Sequence, residues 1–202
     1  MLRDIKKRTL RQNIGYILVF IGVVGIIASA ILTSHTMNQL ANPNYKPDCN
    51  LNPIFSCTSV ATSPQSNALG FPTPFAGMIG FAVIATIGAT LLAGAKLKRW
   101  FWLATLAGAT FAIVFVHWLI YEALYSIGAL CLYCMVIWSV TIPLFWYLLL
   151  YVLRERHLKT PKHLQGIVRF VQTHHIDILI SWYLIIIALI LKRFWYYWST
   201  LF

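Results

Sequence analysis

Charge is what this sequence has least of. Aspartate and glutamate together number five, and charged residues of both signs make up 10% of the chain, where a soluble domain carries about 25%. So small a supply cannot cover the surface of an ordinary soluble domain; 59% of the residues are apolar and the mean hydropathy is +0.73. Missing too is any stretch that alternates basic with aromatic residues in the manner of a single-strand nucleic-acid groove. Nucleic acid is therefore set aside as a partner despite a formal net charge of +11. There is no internal repeat, and the basic segment 154–175 is too short to bury a core, so no second soluble domain is expected. Cysteine is scarce: Cys49, Cys57, Cys131 and Cys134 are all there are.

Long apolar runs fill the chain instead. Roughly 20 apolar residues cross about 30 Å of hydrocarbon as a helix. Ile14 to Leu32, Phe75 to Ala95, Phe101 to Leu124 and Leu130 to Leu153 have that length. Ile176 to Leu191 is a shorter fifth, with Lys192 and Arg193 placed to snorkel and Phe194 to Trp198 read as an interfacial aromatic belt. The pattern predicts an all-α integral membrane protein, a four-helix transmembrane bundle plus a fifth transmembrane helix. Its expected organisation is a basic N-terminus (1–13), a four-helix unit (14–153) with a loop at 33–74, a linker (154–175), and the fifth helix with the C-terminus (176–202). Arg3 to Arg11 followed by Ala28-Ser29-Ala30 could also be a signal peptide, but the apolar run exceeds the roughly 7 to 15 residues of a signal core. It is read as a span.

Orientation follows from where lysine and arginine fall, because cytoplasmic loops keep positive charge. Five lie between Arg3 and Arg11, three between Lys96 and Arg99, and five between Arg154 and Arg169, against Lys46, Lys192 and Arg193 on the other side. The N-terminus is expected in the cytoplasm, the C-terminus outside, and the protein in the cell (inner or cytoplasmic) membrane. The bilayer thus accounts for the basic excess. The loop from Thr33 to Pro74 lies outside; it holds six of the eight prolines, and its polar content favours disorder unless something ties it down.

All four cysteines then map to the outer side, where disulfides persist. Cys131-Leu132-Tyr133-Cys134 is a C-x-x-C at a helix start, where free backbone N–H groups and the helix dipole favour thiolate. Its two sulfurs share a helix face, so they could join each other, or one could face the loop and the other the bundle interior. The bland alternative is an inert buried pair. Cys49 and Cys57 enclose seven residues, Asn50 to Ser56, and taken alone read equally well as a static staple. A second pair at the same face favours exchange between a mobile loop disulfide and a fixed C-x-x-C. Zinc is disfavoured, since the loop offers no second C-x-x-C and no nearby histidine cluster.

His117 and Glu122 on the third span are ionisable groups inside or near the membrane. Glu122 sits near the outer end and can reach water. His117 lies deeper; it either helps deliver protons or, the preferred reading, is a neutral histidine satisfied by a neighbouring helix. His174 and His175 fall on the cytoplasmic side. Trp118, Tyr121 and Tyr125 read as bundle packing and interface anchors, with Trp138 the aromatic expected to line a pocket.

Cys49, the seven-residue gap, Ser56-Cys57, Ser63, Gly70-Phe71-Pro72 leading to Gly77, and Cys131-Leu132-Tyr133-Cys134 together resemble the vitamin K epoxide reductase family over roughly Ile14 to Leu153. The order, loop pair first, distinguishes it from DsbB-type quinone reductases, whose C-x-x-C comes in the earlier loop. The resemblance implies a four-helix bundle around a quinone of the menaquinone or ubiquinone type. It places Cys134 nearest the ring, Cys131 in exchange with Cys57, and Cys49 facing a thioredoxin-fold or DsbA-like protein. Ser63 would lie near the quinone and Cys134 on a short helical part of the loop. Thr73 and Trp138 stand where vertebrate members use Asn and Tyr to hydrogen-bond the quinone carbonyls, and both are able to donate. Some bacterial relatives carry a thioredoxin-fold domain after a fifth span; here the sequence ends at Phe202, so a separate partner is expected. The implied activity is thiol:quinone oxidoreduction serving disulfide formation, with literal vitamin K epoxide reduction, or a non-enzymatic membrane protein with structural disulfides, as the alternatives.

Overall fold

The computed structural model describes residues 2–42, 44–52, 54–155, 158 and 165–199. Pro43 and Pro53 of the loop, Arg156, Lys159 and Lys162 of the basic segment, and residues 200–202 lie outside the described residues. Among those described, five helices are long and apolar enough to cross a bilayer. They are α1 (Leu2–Ala41), α3 (Thr73–Leu92), α4 (Arg99–Glu122), α5 (Leu132–Arg154) and α7 (His175–Arg193); the short α2 (Cys57–Ala61), α6 (Gln165–Thr173) and α8 (Trp195–Trp198) complete the helices. No strand occurs among the described residues beyond one isolated bridge, Phe55 to Leu130. The protein is all-α.

The expected spans are present, with both boundaries of the first helix far off: it begins at Leu2, twelve residues before Ile14. The first helix continues nine residues past Leu32 to Ala41, so the loop begins later than Thr33. The segment from Thr33 to Ala41 is polar but contains no breaker, and a helix already nucleated in lipid propagates at little cost until the chemistry stops it. Thr36 donates its hydroxyl back to the Leu32 carbonyl at 2.9 Å. Elsewhere the ends shift by three residues or fewer: α3 closes at Leu92 before Gly94, whose φ of 92° only glycine adopts freely, and α5 starts at Leu132 rather than Leu130.

α1 packs most extensively on α3, and α5 packs on both α1 and α4. Without a hydrophobic force between helices in lipid, close approach of small residues holds such pairs. A Cβ at Gly22 would stand 2.7 Å from the backbone nitrogen of Ala85, and one at Gly88 the same distance from that of Val19. Two helix backbones thus lie against each other. Leu18, Leu91, Leu148 and Val152 fill the centre of the seam.

α7 lies outside this bundle and buries none of its own residues. Polar ties hold it. The Trp146 indole donates to the His175 carbonyl at 2.9 Å, Trp182 donates to His117 Nε2 at 2.9 Å, the Tyr183 hydroxyl donates to the Ser139 carbonyl, and Arg193 Nε donates to the Leu124 carbonyl at 2.7 Å. Arg193 therefore does not snorkel away. Phe194 departs further from expectation: instead of joining a belt it is 1% exposed, packed with Ile54, Leu124, Leu130 and Trp138. The bond from Arg193 turns the chain end inward and carries Phe194 with it.

Backbone atoms cannot yield as side chains do, so Gly88→Ala should force α1 and α3 apart and cost about 1–3 kcal/mol, the usual penalty of overpacking. Gly108→Ala, which meets nothing within 4 Å, should cost nothing. Thermal unfolding of the two variants side by side, followed by loss of monodisperse protein in detergent, reads the difference.

Candidate redox site

The site is assembled from backbone upward. Asn52 Oδ1 accepts from the N–H of Ile54 at 2.9 Å and of Phe55 at 2.8 Å, turning the loop toward the bundle. From the other side, α4 ends in a π-helical turn, Ala123–Ile127, closed by Gly128 at φ 69°. That left-handed residue reverses the chain at no steric cost and brings Leu130 opposite Ile54. The Leu130 N–H donates to the Ile54 carbonyl at 2.7 Å, and the Ser56 N–H donates to the Leu130 carbonyl at 2.9 Å. Ile54 and Leu130 are both buried.

This register puts Cys57 and Cys131, the residues following each bridging segment, face to face. Cys57 opens α2, whose N-cap Ser56 accepts from the Ser59 N–H at 3.2 Å. Cys131 is the N-cap of α5. Each is 1% exposed. Cys57 is bonded to Cys49, Cys131 and Cys134 are free thiols, and Cys57 Sγ lies 3.1 Å from Cys131 Sγ. Reacting atoms held at about 3 to 3.5 Å are positioned for attack, so one sulfur is shared between the loop pair and the helix pair. The loop is tied down beside it: Asn50 Nδ2 donates to Thr58 Oγ1 at 2.7 Å and Asn50 Oδ1 accepts from the Thr58 N–H at 3.2 Å.

With loop pair, C-x-x-C and near-contact in one place, the sequence can be compared with known proteins. A sequence model of the vitamin K epoxide reductase family matches residues 16–149. The chain belongs to the vitamin K epoxide reductase family. The match takes in all four cysteines, α2, α3, α4 and most of α1 and α5, and ends before α7. No curated protein matches the chain. Membership makes it a membrane oxidoreductase of a family that works with quinones.

The surroundings of Cys134 fit a quinone ring. Cys134 stands one turn into α5, half-buried, where two apolar clusters meet: one with Leu32 and the other three cysteines, the other with Val116, Ile120, Leu124 and Trp138. Trp138, one turn further along, is 5% exposed, and its indole N–H has no acceptor among the described residues. A quinone carbonyl is the kind of acceptor that such an N–H can take. Thr73, the first residue of α3, is half-buried and its hydroxyl likewise makes no hydrogen bond among the described residues. Ser63 does: its hydroxyl donates to the Val60 carbonyl at 2.7 Å, where it caps a 3-10 turn, Pro64–Asn67, just after α2. Trp118, Tyr121 and Tyr125 face outward.

His117 takes the structural role. Its Nδ1–H donates to the Ile113 carbonyl at 2.8 Å while Nε2 accepts from Trp182, so both ring nitrogens are used and the ring is neutral. Glu122 accepts from Gln65 Nε2 at 2.8 Å and anchors the loop to α4. The sequence reading missed Asn50, Asn52, Gly128 and the Ile54–Leu130 pairing. Turn-type residues between the cysteines and a glycine three places before the C-x-x-C are the signals that could have found them.

The thiol of Cys134 donates to Cys131, and with backbone N–H groups of Cys134 and Tyr133 it holds the Cys131 thiol below the ordinary thiol range against the opposing effect of burial. Attack on Cys57 should therefore persist below the pH at which ordinary thiols protonate, and Cys134→Ala should move the midpoint upward; acid quenching and alkylation over a pH series measures both. In a chain carrying Cys49→Ser with Cys134→Ser, mild oxidation should join Cys57 to Cys131. Two maleimide-reactive thiols per chain after oxidation would count against the contact.

Proposed function

We propose that this chain relays two electrons from the dithiol of a thioredoxin-fold protein, of the DsbA-like kind, to a quinone of the menaquinone or ubiquinone type, and so regenerates an oxidant for disulfide formation. The contact between Cys57 and Cys131 at 3.1 Å carries the reading, because it is the link without which two cysteine pairs would be two separate staples.

A partner thiolate attacks Cys49, forming a mixed disulfide and releasing Cys57 as thiolate. The partner's second thiol resolves that bond, so the partner leaves oxidised and the loop pair is reduced. Cys57 attacks Cys131 of a Cys131–Cys134 disulfide and expels Cys134. Cys49 then attacks Cys57, closing the loop disulfide and leaving Cys131 and Cys134 as a dithiol. A quinone held beside Cys134 would supply the two-electron, two-proton acceptor. Cys131 and Cys134 give up those electrons and protons and return to the disulfide. The observed arrangement, loop pair joined and helix pair free, is the state just before that last step. Trp138 and Thr73 would hold the quinone as hydrogen-bond donors, with Ser63 in the loop nearby, and residues 14–153 would form the catalytic unit.

The asymmetry of lysine and arginine supports an N-terminus in the cytoplasm and the thiols on the outer face of the cell membrane. DsbA-type partners poise near about −120 mV, so net oxidation requires an acceptor more positive than that.

Anaerobic mixing of the purified protein with a reduced thioredoxin-fold protein and a quinone tests the relay. Wild type should reduce the quinone and Cys134→Ala should fall to background; offered the oxidised partner instead, the free Cys49 thiol of Cys57→Ser should open the partner's disulfide and hold the partner as a mixed disulfide. Capture on Cys134 instead would reverse the order of transfer. A chain whose cysteines stay oxidised whether or not quinone is present would be a stapled structural protein.

A further inference from the structure

The end of the bundle farthest from the cysteines holds a cavity of about 510 Å³ between α1, α5 and the segment from Arg169 to His175. Its floor is apolar, with Ile14, Ile17 and Leu150; its rim carries Arg154, Arg169 and Gln172. No carboxylate among the described residues lines it. Neither guanidinium has an ion-pair or hydrogen-bond partner among the described residues. Two unpaired cations converging on one hollow repel each other, and an anion placed between them removes that cost and takes their planar N–H forks.

We propose that this cavity is a binding site for an anionic phospholipid, with its phosphate between Arg154 and Arg169 and an acyl chain along Ile14, Ile17 and Leu150. Phosphate alone would satisfy the rim but leave the apolar floor uncovered. A second observation favours lipid. Arg169 sits on α6, a nine-residue helix with no buried residue, whose Ile167 and Phe170 are 59% and 58% exposed. A helix that shows apolar and basic side chains together belongs at the boundary between headgroups and acyl chains, and basic residues there attract anionic lipid. The site is independent of the thiol chemistry.

The full chain, reconstituted in nanodiscs of mixed phosphatidylglycerol and phosphatidylcholine and released into the gas phase for native mass spectrometry, should retain one phosphatidylglycerol in preference to phosphatidylcholine. The double variant Arg154→Gln with Arg169→Gln should lose that preference by roughly thirty-fold, from the usual contribution of two basic residues near a membrane surface. Arg154→Lys with Arg169→Lys keeps the charge and should retain most of it, which separates loss of binding from loss of fold. Equal retention in wild type and the glutamine variant overturns the site. Displacement of phosphatidylglycerol by inorganic phosphate at millimolar concentration would show a free-anion site and overturn the assignment to lipid.

Discussion

Two backbone hydrogen bonds, Leu130 N–H to the Ile54 carbonyl and Ser56 N–H to the Leu130 carbonyl, fix where the loop meets the helix bundle. A loop of this length has many ways to close, and closure entropy rises only slowly with length, so a disulfide between two of its own cysteines would not place either sulfur against the helix pair. The short parallel bridge does that. It needs Gly128 to reverse the chain after the π-helical turn, Asn52 to bend the loop, and burial of Ile54 and Leu130 to keep water from competing for the bonds. Cys57 and Cys131 then have no freedom to miss one another.

The elements that depend on transfer from water to lipid were legible in the sequence. Five apolar runs became five spanning helices, because a backbone in hydrocarbon has no alternative to the helix. The long first helix was less legible, since hydropathy marks where lipid ends and not where a helix must stop. Thr33 to Ala41 leaves the apolar window but stays helical, and His35 from that extension donates or accepts with the Tyr45 hydroxyl at 2.8 Å and packs against the Tyr133 ring inside the C-x-x-C. A boundary error of nine residues thus concealed part of the redox site's wall.

The cysteines were legible as pairs, and exchange between Cys57 and Cys131 was implied by the family resemblance, but the backbone that sets their adjacency was not legible. Adjacency rests on Asn50, Asn52, Ile54, Gly128 and Leu130, none of which is reactive, and pairings between residues more than seventy positions apart leave no local pattern. His117 is the converse. An ionisable side chain in a span is a functional candidate by default, yet the preferred reading, a histidine satisfied by a neighbouring helix, is what the structure holds: it accepts from Trp182 and donates within its own helix. Phe194 was misread: the aromatic string at the end of α7 reads as a belt, and one hydrogen bond from Arg193 to the Leu124 carbonyl is enough to draw the first ring of the string into the core.

Cys57 has a single bond to give. While it is joined to Cys49 the sulfur of Cys131 only touches it, and once it joins Cys131 it must let Cys49 go. Cys49 and the helix pair are consequently never both bonded to Cys57 at one moment. In the proposed relay, traffic through the protein would alternate, as at a turnstile, its top speed set by whichever half-cycle is slower.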